Sequence, residues 1–225
     1  VGFDLGCGSG RWAKYVAPKV KKLYLIDPSD AIDVAKRNLE RHENVEFYRC
    51  GVDEMPIPDD SCDFGYSLGV LHHVPDTELA LQCCVRKLRQ GAPFLLYLYY
   101  RFDNRPMWFR LLWKCTDIVR QIVSKMPFKA KYLFSSIIAL LIYFPLARLS
   151  LILERLGMDV ENFPLSVYRS RSFYTMRTDA LDRFGTRLEK RFTRVEIEQM
   201  MRRCGLVSIR FKESAPFWVA VGFKR

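Results

Sequence analysis

Short apolar runs alternate with amphipathic stretches through the first hundred residues. Val1–Leu5, Lys22–Ile26, Val45–Cys50, Asp63–Leu68 and Pro93–Tyr100 read as strands. Helical patterns lie between them near 11–20, 29–42 and 77–89, with Asp76 placed to cap the last and Gly91 placed to follow it. Strands and helices alternating in this way predict right-handed crossovers and a doubly wound, mostly parallel sheet. Near the C-terminus, Thr193-x-x-Glu196 is a capping box opening a helix that ends before Gly205. Leu206–Lys212 and Phe217–Lys224 then read as an antiparallel hairpin on the sheet edge.

The pattern changes from Arg101 to about Ser172. Residues 106–125 put Trp108, Leu111, Leu112, Cys115, Val119 and Ile122 on one helical face, and Arg110, Lys114, Asp117, Gln121 and Ser124 on the other. Tyr132–Leu153 is apolar except for Ser135, Ser136, Arg148 and Ser150, and contains Pro145. Its uninterrupted run ends at Arg148 after about sixteen residues, short of the roughly 20 that span a bilayer. The organisation expected is a cofactor-binding half over 1–100, a basic, apolar helical insert over 101–172, and a C-terminal helix and hairpin over 173–225 that completes the sheet.

Charge follows the same division. The 225 residues carry a formal +11, but residues 1–100 hold 12 basic and 14 acidic side chains, whereas 101–194 hold 18 and 8. The excess belongs to the middle segment. The seven cysteines, Cys7, Cys50, Cys62, Cys83, Cys84, Cys115 and Cys204, are odd in number and lack C-x-x-C spacing. That argues against a disulfide framework and a zinc site, and for reduced thiols in the cytoplasm. The chain opens without Met inside an apolar run, so an N-terminal truncation is expected, with a leading helix and targeting information outside it.

Chemistry concentrates at the ends of the predicted strands. Asp4-Leu5-Gly6-Cys7-Gly8-Ser9-Gly10 follows one strand and precedes a helix. A dinucleotide fingerprint would need its third glycine at position 11, which is Arg11, so the register is G-x-G-x-G preceded by an acid. Asp27, in Tyr24-Leu25-Ile26-Asp27-Pro28, ends the second strand, where a carboxylate either accepts ribose hydroxyls or caps the next helix. Gly51-Val52-Asp53-Glu54-Met55-Pro56 follows the third strand, and Ser67-Leu68-Gly69-Val70-Leu71-His72-His73-Val74 ends the fourth.

Together these motifs resemble the class I S-adenosylmethionine-dependent methyltransferases, in particular a small-molecule, ubiquinone/menaquinone-methyltransferase-like branch. The resemblance implies a Rossmann-like α/β sheet and S-adenosyl-L-methionine as cofactor. It implies that Gly6, Cys7, Gly8 and Gly10 line the methionine end of the cofactor, with Asp4 orienting that loop. Asp27 with Pro28 would hold the ribose, Asp53 with Glu54 the adenine, and Leu68 would offer backbone contact near the sulfonium. His72 and His73, two of the three histidines, stand where a base would act on an acceptor that must lose a proton, or else shape the loop. No His, Cys or carboxylate cluster accompanies them, so no metal is expected.

The expected reaction is methyl transfer to a small, hydrophobic or aromatic acceptor. The basic segment offers two alternatives, a nucleic-acid methyltransferase and a non-catalytic, membrane-associated cofactor-binding module. Against the first, the place after the fourth strand holds Leu71-His72-His73-Val74 rather than the polar Asn/Asp-Pro-Pro-aromatic tetrad of base-modifying enzymes. Basic residues beside the apolar face of 106–125 point to peripheral association with an anionic membrane at its inner face. A soluble helical cap over the acceptor is the competing role for the insert.

Overall fold

The computed structural model describes residues 1–160, 163–214 and 217–225. The chain divides into two compact units, one made of Val1–Asp103 with Leu188–Arg225, the other of Asn104–Arg187.

The first unit is built on a seven-stranded sheet in the order β3-β2-β1-β4-β5-β7-β6. Its strands are β1 Gly2–Leu5, β2 Leu23–Ile26, β3 Val45–Tyr48, β4 Phe64–Leu68, β5 Pro93–Tyr97, β6 Leu206–Phe211 and β7 Val219–Lys224. The first five pair in parallel, and β7 joins β5 and β6 antiparallel, as the sequence pattern predicts. Alternating side chains supply both layers of the core. Phe3 and Leu5 of β1 join Phe94 and Leu96 of β5 in one cluster, while Leu23 and Leu25 of β2 pack in the other with Ile32 and Ala35.

Four α-helices belong to this unit among the described residues: α1 Ala13–Val16, α2 Ala31–Asn38, α3 Thr77–Lys87 and α8 Arg194–Arg203. The first is shorter than its sequence pattern because Pro18 converts the following turn, Ala17–Lys19, to a 3-10 geometry. Asp76 caps α3 by accepting from the Leu79 amide at 3.0 Å. At α8 the capping box is complete: Thr193 Oγ1 accepts from the Glu196 amide at 3.2 Å, and Glu196 Oε2 accepts from the Thr193 amide at 2.7 Å.

The second unit consists of α4 Met107–Val123, α5 Phe128–Ile138, α6 Phe144–Arg155 and α7 Phe173–Gly185. A π turn over Ala139–Tyr143 joins α5 to α6, so the helix runs 28 residues from Phe128 to Arg155 without a break. The wider turn comes directly before Pro145, whose missing N–H and bulky ring would otherwise disrupt the ladder at Leu141. This helix is long and apolar enough, by length and composition alone, to cross a membrane.

Two expectations change here. The insert runs over 104–187 rather than 101–172, because α7 packs Met176 and Ala180 against Ala139, Tyr143 and Ala147 of the long helix. Residues 173–187 therefore belong to the helical unit. The apolar face of α4 is also turned outward. Trp108 is 57% exposed and Leu111 63%, while the opposite side buries Arg120, Val123 and Ser124. Arg120 explains the inversion: it donates to Asp117 Oδ1 at 2.7 Å and to the carbonyls of Thr186 and Arg187 at 3.0 and 3.2 Å. Those bonds turn the side of α4 that carries Asp117, Arg120 and Val123 inward, while Arg110, Lys114 and Gln121 stay exposed.

The capping box is the most testable local element. We expect Thr193→Ala to lower stability by about 1 kcal/mol, read as a lower denaturation midpoint at unchanged slope.

Candidate active site

The parallel strands end along one edge of the sheet, and the sequence motifs meet there. Gly6, Gly8 and Gly10 have φ of 76°, 52° and 79°, the left-handed region in which side chains are strained. A Cβ at Gly6 would lie 2.3 Å from the Val70 side chain, so that glycine is required by packing. A Cβ at Gly8 would meet nothing within 4 Å, so that glycine leaves open space above the turn. The loop is tied down by the Asn38 amide, which donates to the Ser9 carbonyl at 2.9 Å.

Asp27 is buried at the end of β2 and organises this turn. Its Oδ2 accepts from the Gly8 amide at 2.8 Å, and its Oδ1 accepts from the Ser29 amide and hydroxyl at 2.9 and 2.5 Å. It does not cap α2, whose N-cap is Asp30. Three donors leave the carboxylate roughly one of its four acceptor sites. The rotatable Ser29 hydroxyl is therefore the donor that a ribose hydroxyl would displace. Ser29 carries no recognisable signal in the sequence beyond its place after Asp27-Pro28.

Asp4 lies beneath the same turn, 2% exposed, and its Oδ2 has no hydrogen-bond partner. Burial pushes its pKa up to about 7, the Tyr66 hydroxyl opposes that rise, and the nearby Asp27 charge adds to it. Cys7 is also buried, its Sγ pointing at the Gly8 carbonyl 3.7 Å away, and burial first and the charges of Asp4 and Asp27 next raise its thiol far above the ordinary range. Its side chain is thus neutral packing in the cluster beneath the loop, and only its backbone faces a ligand role. Pro28, Asp53 and Glu54 are exposed, and Leu68 is half-buried at the end of β4. Arg11 is exposed too, its guanidinium 5.2 Å from the Trp12 ring centre.

The two histidines separate in role. His72 is fully buried, stacks on Tyr99 with ring centres 3.8 Å apart, and accepts from the Tyr99 amide at Nδ1 over 3.4 Å. Burial, with smaller contributions from His73 and Arg191, pushes its pKa down to about 2. With Nδ1 already accepting, its proton sits on Nε2, so His72 is no base at neutral pH; this corrects the expectation for that residue. His73 is half-buried, and its Nδ1–H donates to the Leu188 carbonyl at 2.7 Å, which leaves the Nε2 lone pair outward.

A segment that the motif reading missed holds this corner. Besides the Leu188 carbonyl, the Lys190 amide donates to the His72 carbonyl at 3.0 Å. Arg191 is paired with Glu189 at 2.9 Å, donates to the Tyr100 carbonyl at 3.2 Å and lies over the rings of Tyr99 and Phe102. Its one sequence signal is the charge cluster Glu189-Lys190-Arg191 before the capping box.

The residues fit the implied cofactor by three structural observations: the open space at Gly8, the orphaned acceptor on Asp4 and the anchored carboxylate of Asp27. Among the described residues no group of His, Cys, Asp and Glu could hold a metal.

The raised pKa of Asp4 carries a pH dependence of stability. Between the unfolded value near 4 and the folded value near 7 the native state binds the extra proton, so stability falls as pH rises across that window. We expect Asp4→Asn to flatten this decline, with a difference growing to on the order of 3–4 kcal/mol at pH 7 and above. Denaturant titrations of both proteins at pH 5 and pH 8 measure it; parallel curves would place the Asp4 pKa near its ordinary value.

Residues 3–96 match the family model described as a methyltransferase domain. Over 102 residues the chain is 31% identical to a tRNA (carboxymethyluridine(34)-5-O)-methyltransferase of Macaca fascicularis, covering 43% of this chain and 14% of that protein. The chain thus spans a small part of that curated relative. A provisionally assigned methyltransferase from Bacillus halodurans C-125 superposes with TM-score 0.56 at 15% identity, covering 94% of this chain and 65% of its own. An S-adenosylmethionine-dependent methyltransferase from Thermotoga maritima does so with TM-score 0.52 at 17% identity, covering 100% and 82%. The two structures share the fold, and the family match and the motif residues carry the chemistry. Residues 3–96 accordingly match a methyltransferase domain, and the sheet built around them has the fold of those two solved structures.

Proposed function

We propose that the protein transfers the methyl group of S-adenosylmethionine to a small aromatic or hydrophobic acceptor, with His73 receiving the acceptor's proton. The observation that carries this reading is the corner formed beyond β4 and β5. Tyr97 and Tyr99, with ring centres 6.1 Å apart, stand beside His73, and His73 offers an unused Nε2. Apolar walls with one oriented polar group are the usual make-up of a small-ligand site. The amide of Gly69, which follows Leu68, donates to the Tyr97 carbonyl at 2.9 Å, so the aromatic wall begins where the strand ends.

The cofactor supplies an activated methyl group on sulfonium. The chain's contribution is to bind and orient: Asp27 and the glycine turn fix the nucleoside end, and the tyrosines exclude water from the acceptor. The hydrogen bond from His73 Nδ1 to Leu188 fixes the tautomer that takes up a proton at Nε2. The location proposed for this activity is the cytoplasm.

One observation favours a second reading. The relative in Macaca fascicularis bears a tRNA-methyltransferase name, and this chain carries +11. The two are separated by measuring S-adenosylhomocysteine formation across phenols, quinols, fatty acids, thiols, polyamines and bulk tRNA. Turnover with tRNA alone would overturn the small-acceptor reading, and cofactor binding with no turnover anywhere would leave a binding module.

Asp27→Ala is expected to weaken S-adenosylhomocysteine affinity by about ten- to a hundredfold, corresponding to roughly 1.5–3 kcal/mol. Gly8→Val should weaken it further, since it fills the open space and strains a left-handed residue. Calorimetric titration tests both, and unchanged affinity in Asp27→Ala would remove Asp27 from the cofactor site.

His73→Ala is expected to lower turnover by about 10²–10⁴-fold at nearly unchanged cofactor affinity, read by comparing turnover with calorimetric titration. Turnover within a few fold of the parent would show that the acceptor loses its proton without His73.

A further inference from the structure

The helical unit displays more apolar side chain than its own packing uses. The 28-residue helix from Phe128 to Arg155 buries one stripe, Ser135, Ala139, Tyr143, Ala147 and Ser150, whose mostly small side chains let α7 approach. On its other side Leu133, Ile137, Leu140 and Leu141 are 45–66% exposed. Along α4, Leu111, Leu112, Ile118 and Ile122 are 52–63% exposed. These positions recur at helical spacing, so each helix carries a continuous uncovered apolar face.

The charges around those faces are of one sign. The unit holds 14 Lys and Arg against 6 Asp and Glu. Many of its cations are used internally, as Arg120, Arg148 and Arg183 are. Arg110, Lys114, Lys125, Lys129 and Arg155 are exposed. They have no ion-pair partner among the described residues. Arg110 and Lys114 flank the apolar face of α4, and Lys129 lies one turn before Leu133 on the long helix.

We propose that these faces dock the protein on an anionic lipid bilayer, with the long helix lying in the plane of the interface. Unpaired cations bordering an apolar face satisfy phosphate headgroups and acyl chains together. A spanning arrangement is disfavoured by α7, which packs along the long helix while carrying Arg177, Asp179, Asp182 and Arg183. Placing that pair in hydrocarbon would bury those charges. A second copy of the chain is disfavoured because face-to-face association would oppose the same unpaired cations. The inference stands on the helical unit alone and does not rest on the proposed acceptor.

Flotation of the full chain with phosphatidylcholine vesicles, with and without phosphatidylglycerol, tests it. We expect recovery with anionic vesicles at low salt, release at high salt and little recovery with neutral vesicles. A triple variant Arg110→Gln/Lys125→Gln/Lys129→Gln should partition about a hundredfold less, from roughly fivefold per charge. Leu133→Glu/Leu140→Glu, on exposed positions that the fold does not need, should also abolish flotation while cofactor affinity stays at the parent value. Protein left in the soluble fraction at low salt would overturn the proposal, as would equal recovery on neutral vesicles. So would a concentration-dependent dimer in the absence of lipid that Leu133→Glu/Leu140→Glu disperses. Cofactor titration on the same samples keeps a failure of docking distinct from a failure of the methyltransferase site.

Discussion

The Gly8 amide donates to Asp27 Oδ2, and that side-chain bond, with the Gly6 and Cys7 amides on the Ile26 carbonyl, joins the turn after β1 to the end of β2. Together they hold the glycine turn in its left-handed shape, and glycine is the residue that loses most entropy on being fixed. Asp27 can act as the anchor because Ser29 gives its second oxygen two further donors, so both oxygens of a buried carboxyl group are hydrogen-bonded. The order of the turn is thus a property of one carboxyl group and the donors around it.

The other polar groups near this edge are less well satisfied. Asp4 Oδ2, the Tyr66 hydroxyl, Ser67 Oγ and His72 Nε2 are buried without partners. Each costs stability, and a folded chain keeps such costs where a site needs them. Asp4 and His72 answer burial in the same way, by favouring the neutral form: the acid titrates upward and the imidazole downward. His73, by contrast, is only half-buried and donates one ring N–H to the Leu188 carbonyl. Two adjacent residues of one type are therefore divided into a buried stacking partner and a half-buried donor to Leu188 by a segment more than a hundred positions away.

That division is where sequence reasoning reached its limit. The strands, the capping box and the hairpin were legible because alternation and cap chemistry act within a few residues. Asp27 and Gly8 were legible because each sits at the end of a strand. Ser29 and Leu188–Arg191 were not, since their roles depend on contacts that only the folded sheet creates. Cys7 was legible as a motif position, but the inward packing of its side chain, which leaves its backbone to the turn, was not. The boundary at 172 failed for a related reason, because α7 looks amphipathic in either unit and only its contact with Ala139 and Ala147 assigns it.

The orientation of α4 extends the argument from recognition to environment. Periodicity identifies an apolar face correctly but assumes that water lies on the other side. Here Arg120 reverses that assumption. Its bonds to Asp117 and to the carbonyls of Thr186 and Arg187 can all be made only if the side of α4 that carries Arg120 faces inward. Exposing that guanidinium to bring Trp108 and Leu111 inward would leave two carbonyls and a carboxylate without their donor, a loss of charge-assisted bonds that apolar burial must exceed. The orientation of α4 is thus set by the hydrogen bonds of one guanidinium rather than by the burial of its apolar side.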